Sequence, residues 1–162
     1  MTRIVALGAS NLTRGFHTIV ATARSMAGPD TEVIAALGHG RSYGMASRLL
    51  VRTLPGILQS GLWHQLEVLP AAPTRALVTD VGNDVLYGMP ADRIVTWVDE
   101  VVARLQRITG DIVLTDLPLA RARREACRLC FLRPERQWLF GREQFTPQHG
   151  VRLGPGGRVW LY

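Results

Sequence analysis

The sequence predicts an α/β fold in which a parallel sheet carries helices on both faces, and three observations predict it. Short apolar runs recur at residues 4–7, 32–37, 76–79 and 111–115, each closed by a turn rich in glycine, asparagine, aspartate or proline. Runs of that length read as buried parallel strands. The stretches between them are long enough for crossover helices, which parallel strands require. The clearest carries Ile94, Trp97, Val98, Val101, Val102, Leu105 and Ile108 at helical spacing, a stripe wide enough to pack on a sheet.

Taken in order, the first run leads through Gly8 and Ala9 into Ser10. Phe16, Ile19, Val20 and Ala23 then share one helical face. The sequence Ala27-Gly28-Pro29-Asp30 is a turn. The second strand, residues 32–37, runs into the glycine-rich loop Gly38-His39-Gly40-Arg41-Ser42-Tyr43-Gly44. A helix is expected near residues 45–53, anchored by Leu49 and Leu50 and interrupted by Pro55 and Gly56. Another is expected over 57–66, carrying Trp63. The third strand, 76–79, ends at Asp80-Val81-Gly82-Asn83-Asp84. Pro90 opens the striped helix, Gly110 is its expected end, and 111–115 is a fourth strand stopped at Pro118. Beyond it, 119–131 reads as helical and 138–140 as a short edge strand. Residues 146–162 are rich in glycine and proline and end on Val159-Trp160-Leu161-Tyr162. Aromatic surface of that kind is expected to tuck into the body or to join two copies as a homodimer.

A chain of 162 residues, 47% hydrophobic, is read as one domain over 1–162 with a substantial core. No apolar run approaches the ~20 residues of a membrane span, and the amino terminus lacks a signal-peptide pattern. A cytoplasmic location without a membrane partner is the expectation. The net charge of +6 comes entirely from arginine, because the chain has no lysine. Its densest cluster, Arg121, Arg123, Arg124, Arg128 and Arg133, is weighed as a solvated face or an anion-binding patch ahead of a nucleic-acid surface. Cys127 and Cys130 form a lone C-x-x-C with no second ligand pair, so no structural zinc is expected. They read as small packed residues in a reducing compartment. No metal or cofactor is expected.

The three glycine-bearing loops fall at strand ends, where open α/β sheets place their chemistry. Ser10 offers a hydroxyl at a helix start, where its own N–H can donate. Gly40 lets a substrate come close to its backbone, and the Asn83 amide is a further donor. Taken singly, each has a plain structural reading: a helix cap, a tight loop, an Asn-Asp turn. Their recurrence at three successive strand ends is what points to acyl transfer. Phosphate-binding alternatives fail, since a Walker loop needs the missing lysine and the first turn lacks G-x-G-x-x-G. The G-x-S-x-G elbow is also missing.

These residues resemble the blocks of the SGNH hydrolases, the GDSL-type esterases and lipases. Gly8-Ala9-Ser10-Asn11-Leu12 is similar to the first block, with Ala9 where Asp is usual. Gly40, or failing it Gly38, matches the second-block glycine. Val81-Gly82-Asn83-Asp84 is similar to Gly-x-Asn-Asp. The family's last block, Asp-x-x-His, is matched in frame by His149-Gly150-Val151-Arg152, with His149 where Asp is usual and Arg152 where His is usual. Arginine stays protonated and cannot take the serine proton. The resemblance implies a flavodoxin-like three-layer α/β/α domain and a serine esterase that acts on a small-molecule ester. Ser10 would be its nucleophile, with Gly40 and Asn83 as oxyanion donors. Three accounts of the base stay open. His149 swings in, His39 acts instead, or catalysis is lost and Arg152 turns the pocket into a site for a small anion. His39, Asp84 and Arg152 are the expected substrate-side residues.

Overall fold

The computed structural model describes residues 1–49 and 52–115. β1 (Arg3–Leu7) lies at the middle of a four-stranded parallel sheet of order β2-β1-β5-β6, with β2 spanning Glu32–Ala36, β5 Thr74–Val78 and β6 Ile112–Leu114. From β1 the chain moves outward one way through α1 (Ser10–Ala27) to β2. It then returns past β1 to β5 and continues through α3 (Ala91–Gln106) to β6. Right-handed crossovers running in opposite directions put α1 and α3 on opposite faces. The fold class expected from the sequence is therefore the one observed.

One face is the main core. Val5, Leu7, Ile34, Ala36, Ala76, Val78 and Ile112 pack there against Ile57 and Leu58 of a 3₁₀ turn (Ile57–Gln59), Leu62 and Leu66 of α2 (Leu62–Val68), and Val101, Val102 and Leu105 of α3. On the other face α1 sets Leu12 against Gly8. At the sheet's far end the buried Arg3 guanidinium pairs with Glu32 at 2.7 Å and joins β1 to β2.

Register decides where the chemistry can sit. Leu7 lies beside both Ala36 and Val78, and Val78 beside Leu114, so every strand leaves the sheet at one edge. The ladder extends a step beyond the strands, through Gly8 N–H to Ala36 O (3.1 Å), Thr79 N–H to Leu7 O (2.9 Å) and Thr115 N–H to Val78 O (2.9 Å).

Three expectations need correction. The stretch expected to be helical near 45–53 is an antiparallel pair, β3 (Ser47–Leu49) and β4 (Arg52–Leu54). The Ser42 hydroxyl takes the N–H groups of Gly44 (3.2 Å) and Met45 (3.1 Å), so the chain enters the segment from a side-chain-held turn. Leu54 gains a place over Gly38 in the extended arrangement. The helix expected over 57–66 is split, because Ser60 turns its hydroxyl back to Ile57 O (2.8 Å) and α2 starts afresh at Leu62. Finally, α3 stops at Gln106, ahead of Gly110. The Thr109 hydroxyl bonds to Thr74 O (2.5 Å) and accepts Asp111 N–H (3.0 Å), which turns the chain into β6 and leaves Ile108 exposed. The elements expected over 119–131, 138–140 and 146–162, with both cysteines, lie outside the described residues.

Gly8 has no room for a side chain. A Cβ there would lie 2.7 Å from Thr79 Cγ2 and 2.9 Å from Leu12 Cβ, whereas one at Gly15 in α1 would meet nothing within 4 Å. Gly8→Ala should lower the unfolding free energy in urea by about 1–3 kcal/mol. Gly15→Ala should raise it by about 0.5–1 kcal/mol, since alanine orders a helix at less entropic cost. Equal stability of Gly8→Ala and the parent would refute the close packing.

Candidate functional site

Three loops meet at the sheet edge. Ser10, half-buried, is the first residue of α1, and its Oγ accepts the Gly40 N–H at 3.4 Å. Gly40 has φ +71, a left-handed conformation that glycine adopts at no steric cost. The Asn83 Nδ2 donates to Arg41 O at 3.0 Å, one residue beyond Gly40. The structure thus brings the loops of Ser10, Gly40 and Asn83 together at one sheet edge, Ser10 bonded to Gly40 and Asn83 to the next residue, Arg41. Gly38 stands further round the same loop, under Leu54.

The loop from β5 continues as a 3₁₀ helix (Val81–Tyr87), which grips the second loop residue by residue. The Tyr87 hydroxyl donates to Gly40 O. Asn83 holds Arg41 O, and Asp84 Oδ2 accepts the Tyr43 N–H at 2.9 Å. Asp84 is fully buried, so it is part of the loop's scaffold and does not face a substrate. Burial pushes its carboxyl above the ordinary value, with the Ser42 hydroxyl and Tyr43 N–H acting the other way. Its Oδ1 has no hydrogen-bond partner among the described residues. Arg41 is turned inward onto Leu37 O (3.0 Å) and Pro55 O (3.1 Å), and desolvation lowers its pKa.

Sequence reasoning passed over Asp80. α1 begins with four N–H groups that have no helical acceptor, those of Ala9, Ser10, Asn11 and Leu12. Asp80 Oδ2 takes three of them, at 2.8 Å (Ala9), 3.0 Å (Asn11) and 3.1 Å (Leu12), and Oδ1 accepts the Asn11 amide at 2.7 Å. The Ser10 N–H alone keeps no acceptor among the described residues. Asp80 reaches back because it sits at φ 61, ψ 25, the left-handed region that aspartate tolerates better than most residues. In the sequence Ser10 reads as the cap of this helix, and only the fold shows that Ala9 takes that position and Asp80 supplies the capping carboxylate.

Tyr43 was also passed over, although a large aromatic inside a glycine-rich loop needs somewhere to go. It is fully buried, and its hydroxyl donates to Thr79 O at 2.5 Å, with Leu7 O at 3.4 Å. It thereby closes the ends of β1 and β5 beneath the crevice.

Of the histidines, His39 is exposed beside Gly40, and His17 and His64 are exposed on α1 and α2. No imidazole or carboxylate bonds Ser10 Oγ among the described residues. His149 and Arg152 lie outside those residues. Among the described residues no cluster of His, Cys, Asp and Glu could hold a metal ion, and no helix is long and apolar enough to cross a membrane.

The chain matches no family model and no curated protein. A solved crystal structure aligns with it at a TM-score of 0.48 and 17% identity, over 71% of this chain and 62% of the other. The chain thus spans less than two thirds of that neighbour's length.

Burial raises Tyr43 well above the ordinary tyrosine value of 10.0, helped by the charges of Asp80 and Asp84. The unfolded chain releases this proton near 10.0, so the stability carried by the neutral phenol is complete below that pH and falls as pH climbs toward the folded value. With no lysine in the chain, few other groups titrate in this range. Tyr43→Phe should cost about 1–2 kcal/mol at neutral pH. Its deficit against the parent should shrink in alkaline denaturant titrations. A deficit that is independent of pH would contradict the assignment.

Proposed function

We propose that the protein is a serine hydrolase of SGNH type that cleaves a small-molecule ester through Ser10. The observation that carries this reading is the pairing at Ser10. Its hydroxyl meets the Gly40 N–H, and its own N–H is the one helix-start donor that Asp80 leaves unclaimed. Two N–H groups beside one nucleophilic oxygen are what a developing oxyanion needs, each worth about 3 kcal/mol to the transition state. Asn83 spends one amide hydrogen on Arg41 O and has a second to give. The order of serine, glycine and Asn-Asp along the chain supports the same reading.

In this mechanism Ser10 Oγ bonds to the acyl carbon while its proton passes to a base. The oxyanion rests on the Ser10 and Gly40 N–H groups and then collapses. The carbon–oxygen bond to the alcohol breaks, and the leaving oxygen takes the proton from the base. Water then repeats the sequence and frees Ser10. His149 is the base we assign, with His39 as the second candidate. Asp80 is unsuited to the task, because its carboxylate already accepts four hydrogen bonds.

The competing reading is a non-catalytic pocket that holds a small anion through Arg152. The donors at the start of α1 that would receive an anion are occupied by Asp80, whose charge repels a second one. That favours a site for charge that develops in a transition state over one for charge already present. Labelling with a fluorophosphonate should modify Ser10, and Ser10→Ala should reduce p-nitrophenyl acetate hydrolysis to the buffer rate. Asn83→Ala should lower kcat by roughly 10²–10³-fold. Hydrolysis by Ser10→Ala at the parent rate would refute the proposal. An inert serine in a protein whose melting temperature rises with added anions would favour the binding module.

A further inference from the structure

We propose that Tyr87 is a positioning residue for the Gly40 donor, an inference that rests on the acyl-transfer reading of the same crevice. The loop's flanks are firmly held: Arg41 is tied by its guanidinium to Leu37 O and Pro55 O, and by its own carbonyl to Asn83. Between Leu37 and Arg41 stand Gly38, the exposed His39 and Gly40, and both glycines have positive φ (+158 and +71). The Arg41 N–H closes the turn on Gly38 O at 3.1 Å, yet the two glycines leave the His39–Gly40 peptide, which carries the Gly40 N–H, with more backbone freedom than other residues would. The direction of the Gly40 N–H is therefore set in part by contacts from outside the turn.

Two side chains do so among the described residues. Ser10 Oγ accepts the Gly40 N–H, but this is the atom that leaves to attack a substrate. The Tyr87 hydroxyl holds the Gly40 carbonyl and takes no part in the chemistry. Tyr87 is itself well anchored. It ends the 3₁₀ helix, whose exit is fixed by Gly88 N–H to Val85 O (3.0 Å) and Met89 N–H to Asp84 O (3.3 Å). Through it the segment that supplies the Asn83 donor also sets the Gly40 donor, so the two move as one body. Once Ser10 Oγ has become part of the acyl-enzyme, Tyr87 is the side-chain contact among the described residues that, with the turn's own Arg41 N–H to Gly38 O bond, keeps the second donor aimed.

Tyr87→Phe removes one oxygen and keeps the ring, and it is tested in the full chain by two readouts. With p-nitrophenyl acetate, kcat should fall about 10- to 100-fold, as for a mispositioned donor, with KM nearly unchanged. In amide hydrogen exchange, Gly40 should exchange several-fold faster than in the parent, while core amides such as that of Val5 stay protected. A change that merely loosened the fold would speed both amides alike. Unchanged kcat, or an unchanged Gly40 exchange rate, overturns the proposal. If the parent itself ignores the ester, the acyl-transfer reading fails separately, and equal Gly40 exchange in parent and variant would still overturn the role of Tyr87.

Discussion

The carboxylate of Asp80 is the constraint from which the rest of the crevice follows. It comes from the loop after β5 and closes on the start of α1, so two elements far apart in sequence share one charge-assisted joint. Hydrogen bonds to a charged acceptor contribute about 1.5–3 kcal/mol each, more than neutral pairs do. A negative charge there also meets the positive end of the helix. The same joint sorts the helix-start donors: three are committed to structure, and the one belonging to Ser10 is left over. The feature that stabilises the fold therefore also defines what the site has to offer.

A second layer of order comes from the 3₁₀ segment after Asp80. Tyr87, Asn83 and Asp84 take hold of Gly40, Arg41 and Tyr43 in turn. Tyr43 carries that hold down to the strand ends through its buried hydroxyl. Side chains of the third loop thus reach three residues of the second, beside the second loop's own Arg41 and Ser42 contacts. Asp84 makes its contact from a buried position where its charge is disfavoured. It accepts the Tyr43 N–H while the neighbouring Ser42 hydroxyl gathers Gly44 and Met45.

Strand positions and the parallel sheet were legible because apolar runs bounded by glycine and aspartate carry their own punctuation. The long stripe of α3 was legible for the same reason. What escaped was set by single side chains bonding to backbone, two of them within three residues and one across the sheet. Ser42 starts the turn before β3, Ser60 splits the helix expected near Trp63, and Thr109 ends α3 before Gly110. Periodicity holds no trace of such bonds. The site divides in the same way. Ser10, Gly40 and Asn83 stand out by residue type and position, whereas Asp80 and Tyr87 matter through partners that only the folded chain brings to them. Asp84 drew notice as a substrate-side residue, yet its burial makes it a support.

The central claim is that Ser10 and Gly40 present their N–H groups to one oxygen while Asp80 holds the helix start in place. A crystal structure of the phosphonylated protein tests it most directly. The account predicts phosphorus on Ser10 Oγ, with one phosphonyl oxygen about 3 Å from both the Ser10 and Gly40 nitrogens, and the Asp80 carboxylate still on Ala9, Asn11 and Leu12. A phosphonyl oxygen turned to solvent, or an Asp80 carboxylate displaced from the helix, would contradict it.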